Sequence, residues 1–269
     1  MGSGKAGVEM KGRYELKFPI DFAMKDVIVK EASHGLKADA NGVNAVYRVS
    51  SMYFDTPDYT AYWEKLDGEE ILMKYRLRYY TVEDNDGQLY VRNGFMEIKH
   101  RINNTVFKER VALTDEGANT ILKHPESELK NIVNHVKPEE LEKKTTLSRL
   151  TKAANIPGFT GVNIITYLRE AWEGIHDHRL RVTFDSSCMV YRPDQYGHVG
   201  NHEGQYFLPP DKCILEVKFN QAIPRWIRDI VNKYQVKLQR FSKYCTGLEM
   251  PGIVNRTGRH DIKDFAVRT

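Results

Sequence analysis

The chain is poor in cysteine: three thiols in 269 residues, Cys188, Cys213 and Cys245, with no CxxC pair and no metal-like Cys/His spacing. That excludes a disulfide framework and a zinc module, and it suits a reducing compartment. Long apolar runs are also missing. No stretch of about 18 apolar residues could cross a bilayer, and there is no signal-peptide core. The expectation is a soluble, cytoplasmic protein whose only link to a membrane runs through a partner. Charge of one sign is scarce too, since 40 Lys+Arg against 36 Asp+Glu leave a net +4. Total charge therefore does not announce a polyanion ligand; only position can. Repeats and low-complexity blocks are absent. Gly2-Ser3-Gly4-Lys5 lacks the spaced glycine, the preceding strand and the Ser/Thr of a P-loop, and residues 1–10 read as a disordered or tag-derived arm.

What is present is a two-residue period. It predicts strands over Gly12–Phe18, Ala45–Phe54, Ile71–Tyr80, Gln88–Arg101, Val106–Leu113, Asn163–Trp172, Arg179–Asp185 and Cys213–Phe219. Helices are expected over Asp21–Ser33 with Asp21 near its N-cap, from Thr114 to Lys123, from Pro224 to Tyr234 and from Arg240 to Leu248. A helical insert spans about 114–155, its charged part Ser127–Ala154 broken near Pro138. Arg192–Pro210 reads as a long loop, and 251–269 as a basic tail. Residues 11–250 then form one domain.

Side chains two apart on a strand share a face. The strands accordingly group Arg13, Glu15 and Lys17; Lys74, Arg76 and Arg78; Glu97, Lys99 and Arg101; Lys108 and Arg110; Arg179, Arg181, Thr183 and Asp185; and Glu216 and Lys218. A solvated face of a one-sided sheet is the ordinary explanation. Here the faces are mostly Arg and Lys, the pattern recurs in at least six strands, and the opposite faces are aromatic and aliphatic. Helices covering the apolar faces from outside would turn the charges inward. The fold class expected is thus α+β: a closed antiparallel barrel of about eight strands, a tunnel with helices packed outside. Unit charges about 4 Å apart repel by about 4 kcal/mol at an effective dielectric of 20, so such a tunnel calls for a polyanion and a metal. Guanidinium forks match phosphate oxygens.

Glu15, Glu97 and Glu216 lie on the arginine faces. Each is either a structural ion-pair partner or a ligand for a hard cation, Mg2+ or Mn2+, whose shell phosphates complete. His176-Asp177-His178, beside Gly174, reads as a turn.

In order along the chain stand Arg13-Tyr14-Glu15-Leu16-Lys17, Tyr53-Phe54-Asp55-Thr56-Pro57, Tyr75-Arg76-Leu77-Arg78-Tyr79, Glu97-Ile98-Lys99, Phe107-Lys108-Glu109-Arg110, Arg179-Leu180-Arg181, Leu215-Glu216-Val217-Lys218 and Arg240-Phe241-Ser242-Lys243. This ordered set resembles the polyphosphate polymerase (VTC, vacuolar transporter chaperone) domain of the CYTH-like triphosphate tunnel enzymes, over about residues 11–250. The resemblance implies that ATP donates its γ-phosphate to a growing inorganic polyphosphate chain, with Mn2+ or Mg2+ as cofactor. It implies that Arg76, Arg78, Lys99 and Lys108 hold the donor phosphates, Arg169 and Arg181 complete the wall, and Arg240 and Lys243 on a closing helix touch the chain. Glu216 is the principal implied metal ligand, with Glu97 and Glu15 as further candidates. Arg13 matches a basic position of the polymerase pattern, and Lys17, Arg101, Arg110, Arg179 and Lys218 join as substrate-binding candidates from the same faces. Asp55 reads as structural, ending a strand and starting a helix.

Hydrolytic members carry Glu-x-Glu-x-Lys on the first strand, and Arg13 replaces the first of those acids. A terminal phosphate can itself be the nucleophile, so no general base is needed. Two other readings stand beside the polymerase: a triphosphatase of the same architecture, and a non-catalytic binder of polyanion or RNA. Fifteen tyrosines could stack bases. Their expected place opposite the arginines argues against nucleic acid.

Overall fold

A computed structural model describes residues 13–41, 44–83, 89–103 and 105–256. Its elements run β1 (Tyr14–Asp21), α1 (Phe22–Ala32), β2 (Leu36–Ala38), β3 (Val46–Asp55), α2 (Thr60–Asp67), β4 (Ile71–Glu83), β5 (Leu89–Ile102) and β6 (Thr105–Ala112). Then come α3 (Asp115–Lys123), α4 (Pro125–Lys130), α5 (Lys144–Ala154), β7 (Thr160–Gly174), β8 (Arg181–Tyr191), β9 (Gln205–Tyr206), β10 (Lys212–Phe219), α6 (Arg225–Lys233) and α7 (Lys243–Glu249). Thr114 starts α3 as expected, its hydroxyl accepting the Gly117 N–H at 2.9 Å. Asp21 precedes α1 without a side-chain cap bond and pairs instead with Lys212.

The sheet has ten strands and runs β1-β10-β8-β7-β3-β4-β5-β6, with β2 added on β7 and β9 on β8. This corrects the closed barrel of about eight strands. Among the described residues its two edges, β1 and β6, pair only at an isolated bridge, Arg13 to Val106, whose two backbone hydrogen bonds are 3.2 Å long. Curling brings the edges together without a continuous ladder.

The alternation explains the layers. Outward residues of the central strands, among them Met52, Leu77, Met96, Ile98 and Val111, are buried against Ile121 of α3, Leu129 of α4 and Leu150 of α5. Across the sheet Phe18, Val182, Leu215 and Val217 pack with Ile28 of α1 and Ile227 and Ile230 of α6. Each such side chain contributes about 1.5–3 kcal/mol by leaving water. The expectation that helices lie outside fails for α7. It packs on β7 from the inner side, with Gly247 so close to Ile165 that a Cβ would clash, and it presents Lys243 and Tyr244 to the interior. Its neighbourhood is apolar: Val49, Ile165, Cys188, Val190, Phe207 and Ile214 form a cluster against Phe241.

Other boundaries shift. The loop after Arg192 contains a 3-10 turn (Pro193–His198) and β9. Arg240 precedes α7 rather than lying on it, and Arg179 precedes β8. The arm at 1–10, Gln88 and the tail beyond 256 lie outside the described residues. Among the described residues no helix is long and apolar enough to cross a membrane.

Candidate functional site

The concave face of the sheet encloses a cavity of 1370 Å3. Among the described residues fifteen lysines and arginines line it, from every long strand except β3 and from the segments around α2 and α7, against two glutamates, Glu15 and Glu216. Of the residues expected there, Arg13, Lys17, Arg76, Arg78, Lys99, Arg101, Lys108, Arg110, Arg169, Arg181, Lys218, Arg240 and Lys243 all line it. Arg179 does not: it stands exposed in the turn before β8, its Nε 3.2 Å from Asp177. The period of two places the rest, because each strand turns alternate side chains inward.

The acids lie deepest, and each is gripped by cations. Glu97 on β5 is 1% exposed. It accepts Arg76 Nε and an Arg76 Nη–H at 2.9 and 2.6 Å, and Lys108 Nζ at 3.0 Å. Burial pushes its carboxyl up, but Arg76, Lys108 and Arg78 outweigh that and hold it well below the usual range. Asp185 on β8 is fully buried between Arg169 and Lys243; burial raises it, and those two cations bring it down to about 2. Glu216 on β10 lies 3.2 Å from Lys218, 3.4 Å from Arg169 and 3.9 Å from Lys17. Burial again opposes its ionisation, and Lys218, Lys17, Lys243 and Arg169 hold it well below the ordinary value. Glu15 on β1 meets Lys99 of β5 at 2.7 Å, an ion pair across the gap between the sheet edges.

Among the cations, burial pushes Lys218 down to about 8 despite Glu216. Lys243 is pressed down by burial but held above its ordinary value by Asp185 and Glu216. Arg78 differs from its neighbours. Its Nε is buried without an acceptor among the described residues, and its guanidinium stacks on Tyr80 at 5.2 Å. That leaves it turned to the cavity with hydrogen-bonding capacity unspent.

A hard cation would look to the carboxylates. Both oxygens of Glu97 are taken by Arg76 and Lys108. Glu216 and Glu15 both face the cavity. Among the described residues no group of three or more Asp, Glu, His or Cys could hold a metal alone. The protein thus offers one or two carboxylates, the donor number typical of a cation whose shell is finished by phosphate oxygens.

Further residues line or anchor the cavity. Lys74, already grouped with Arg76 and Arg78 by the strand period, donates to Ser242 Oγ at 3.2 Å beside the Tyr244 ring. Lys65 comes from α2 and carried no signal. Asp55 proves to be an anchor: one oxygen accepts the Thr56 and Ala61 N–H groups at 2.9 and 3.1 Å, and the other accepts the Tyr244 hydroxyl. It ties α7 to the end of β3. The aromatic expectation is overturned. Tyr47, Tyr53, Tyr80, Phe95, Tyr167 and Tyr244 share the cavity with the arginines. The same alternation that turns Arg76 and Arg78 inward turns Tyr80 inward as well.

The chain is similar to known proteins at the level of a family profile, of sequence and of fold. The profile of a family described as the VTC domain matches residues 12–250. Subunit 4 of the vacuolar transporter chaperone complex of Schizosaccharomyces pombe is 26% identical over 230 residues, covering 74% of this chain. The chain spans only 31% of that relative's length. Two solved structures described as candidate adenylate cyclases superpose at low identity. One, from Bacillus halodurans, has a TM-score of 0.46, 10% identity and coverage of 86% of this chain and 95% of that one. The other, from Vibrio parahaemolyticus, has a TM-score of 0.43, 11% identity and coverage of 87% and 98%.

Proposed function

Because the chain belongs to the VTC domain family, we propose that it is a metal-dependent phosphotransferase that moves the γ-phosphate of ATP onto a growing inorganic polyphosphate chain. The observation that carries this reading is the cavity itself, fifteen lysines and arginines enclosed with two glutamates. Only a ligand dense in negative charge relieves such crowding, and guanidinium groups pair with phosphate oxygens two at a time.

In this reading Arg76, Arg78, Lys99 and Lys108 bind the donor triphosphate, and Arg169, Arg181 and Lys218 neutralise the charge that spreads over the transferred group. Arg13, Lys17, Arg101 and Arg110 extend the wall, and Arg240 and Lys243 hold the accepting chain at the α7 end. Phosphoryl transfer asks the protein mainly to position and neutralise, and the terminal phosphate of the chain is the nucleophile. Glu216, with Glu15 beside it, would hold Mn2+ or Mg2+, which when bound supplies further neutralisation of the phosphate oxygens. Glu97 already carries Arg76 and Lys108. That commitment favours transfer over hydrolysis, which benefits from carboxylates free to activate water. Residues 11–250 act as one catalytic domain. A cytoplasmic location suits the activity, where ATP is supplied and the three thiols stay reduced.

The test is incubation of the purified protein with ATP and Mn2+, then gel analysis of the phosphate products. Chains longer than triphosphate, with ADP, are expected. Orthophosphate alone from ATP or tripolyphosphate would replace the transferase with a triphosphatase.

A further inference from the structure

The two ends of the cavity differ in chemistry. At the end beside α7 stand three cations, Lys65, Arg101 and Arg240, and the ring next to them, Phe241, is stacked on Phe207. The tyrosines there are held by their hydroxyls: Tyr53 accepts from Arg76 at 3.2 Å, and Tyr244 donates to Asp55. At the opposite end three rings sit on adjacent strands, Tyr47 on β3, Tyr80 on β4 and Phe95 on β5. Tyr47 and Tyr80 have centroids 6.2 Å apart. Arg78 braces Tyr80 at 5.2 Å and Arg110 braces Phe95 at 4.9 Å, and all three rings stay partly exposed to the cavity. Asn41 and Asn93 bring amides to the same rim, each able to donate and accept.

We propose that this rim is a nucleoside subsite, in which the base of a nucleoside triphosphate stacks on the platform of Tyr47, Tyr80 and Phe95 while its phosphates run inward to Arg78 and Arg76. The proposal rests on reading the cavity as a triphosphate site, and it adds a direction: the nucleoside lies at the aromatic end and the polyphosphate chain leaves past Arg240. Geometry supports the spacing. A strand rises about 3.3 Å per residue, so Tyr80 lies about 13 Å beyond Arg76 along β4, the reach of an extended triphosphate with its sugar. Stacking needs an exposed ring face and is tolerant of base identity. A polyphosphate chain, by contrast, has nothing to stack and gains nothing from these rings.

Calorimetric titration of wild type and variants with ATP and, separately, with tripolyphosphate tests this. Tyr80→Leu and Tyr47→Leu are each expected to weaken ATP binding about tenfold and to leave tripolyphosphate binding unchanged. Tyr80→Phe and Tyr47→Phe, which keep the ring, retain wild-type ATP affinity. Unaltered ATP affinity in both leucine variants, or an equal loss for both ligands, overturns the subsite. Failure of the wild type to bind tripolyphosphate at all would instead remove the phosphate reading of the cavity, and the subsite with it.

Discussion

Lys243 Nζ lies 2.6 Å from Asp185 Oδ2, and the same carboxylate takes Arg169 Nε at 2.7 Å and an Arg169 Nη–H at 2.8 Å. One buried acid thereby joins the inner helix α7 to two strands of the sheet. Replacing it leaves two enclosed cations with only Glu216 as counter-charge, whereas replacing a cation leaves a pair still matched. Asp185→Asn is expected to cost about 3–5 kcal/mol in urea unfolding. Lys243→Met should cost less, and the double variant less than the sum, since the two share one interaction.

The same acid sets a limit at low pH. A carboxyl that titrates lower in the folded protein than in the unfolded chain stabilises the fold above the unfolded value, about 3.9. That contribution disappears as pH falls toward the folded value of about 2. Glu15, Glu97 and Glu216 are also held below their ordinary values, so they act in the same direction. Unfolding followed by circular dichroism should show stability falling steeply below about pH 4. For Asp185→Asn that fall should be shallower.

Arg76 and Arg78 are separated by one residue, yet their substitution should have different effects. Arg76 forks onto buried Glu97, so Arg76→Ala strands a carboxylate and should lower the melting temperature along with phosphate affinity. Among the described residues Arg78 keeps its Nε without a protein acceptor. Arg78→Ala should therefore lose about 1.5–3 kcal/mol of tripolyphosphate binding with little loss of stability. Paired melting and titration measurements separate the two; an unchanged affinity in Arg78→Ala would take this strand face out of the site.

Which parts were legible in the sequence follows from one rule, strand alternation. It placed Arg76, Arg78, Lys99, Arg181 and Glu216 on a common face, and the curled sheet brings them to one cavity. It could equally have placed Tyr80 and Phe95, which continue the same periods. What it could not supply is long-range pairing. Nothing local marks Asp55 as the acceptor for Tyr244, or Asp185 as the anchor of Lys243, because those partners meet only when α7 folds inside. Alternation likewise says which side a residue faces, but not whether the edges of the sheet close. That depends on total curl, and here it stops at Arg13 and Val106. Arg179 was misplaced because the strand begins two residues later than its pattern suggested.

Lys218 should give the site its own pH dependence. Burial lowers its ammonium to about 8, so near that pH the empty cavity holds it partly neutral. A bound polyanion favours the charged form and draws a proton in. Tripolyphosphate affinity should therefore fall as pH rises through about 8, and binding there should take up protons. Titration in two buffers of different ionisation enthalpy measures that uptake. Lys218→Arg, charged throughout this range, should abolish both effects.

The two acids Glu216 and Glu97 should separate metal use from structure. Glu97 has its oxygens committed to Arg76 and Lys108 deep in the wall, so Glu97→Gln should lower the melting temperature but leave the Mn2+ concentration for half-maximal turnover unaltered. Glu216 faces the cavity among Lys17, Lys218 and Arg169. A divalent cation bound there with phosphate would take over the role those bases now fill. Glu216→Gln should therefore lower turnover strongly and raise the Mn2+ requirement. Binding of metal-free tripolyphosphate should hold or tighten, because one negative charge has left a basic site. If Glu216→Gln instead loses tripolyphosphate affinity while keeping its Mn2+ requirement, the carboxylate serves to order its lysines, and the cation must be held by the phosphates alone.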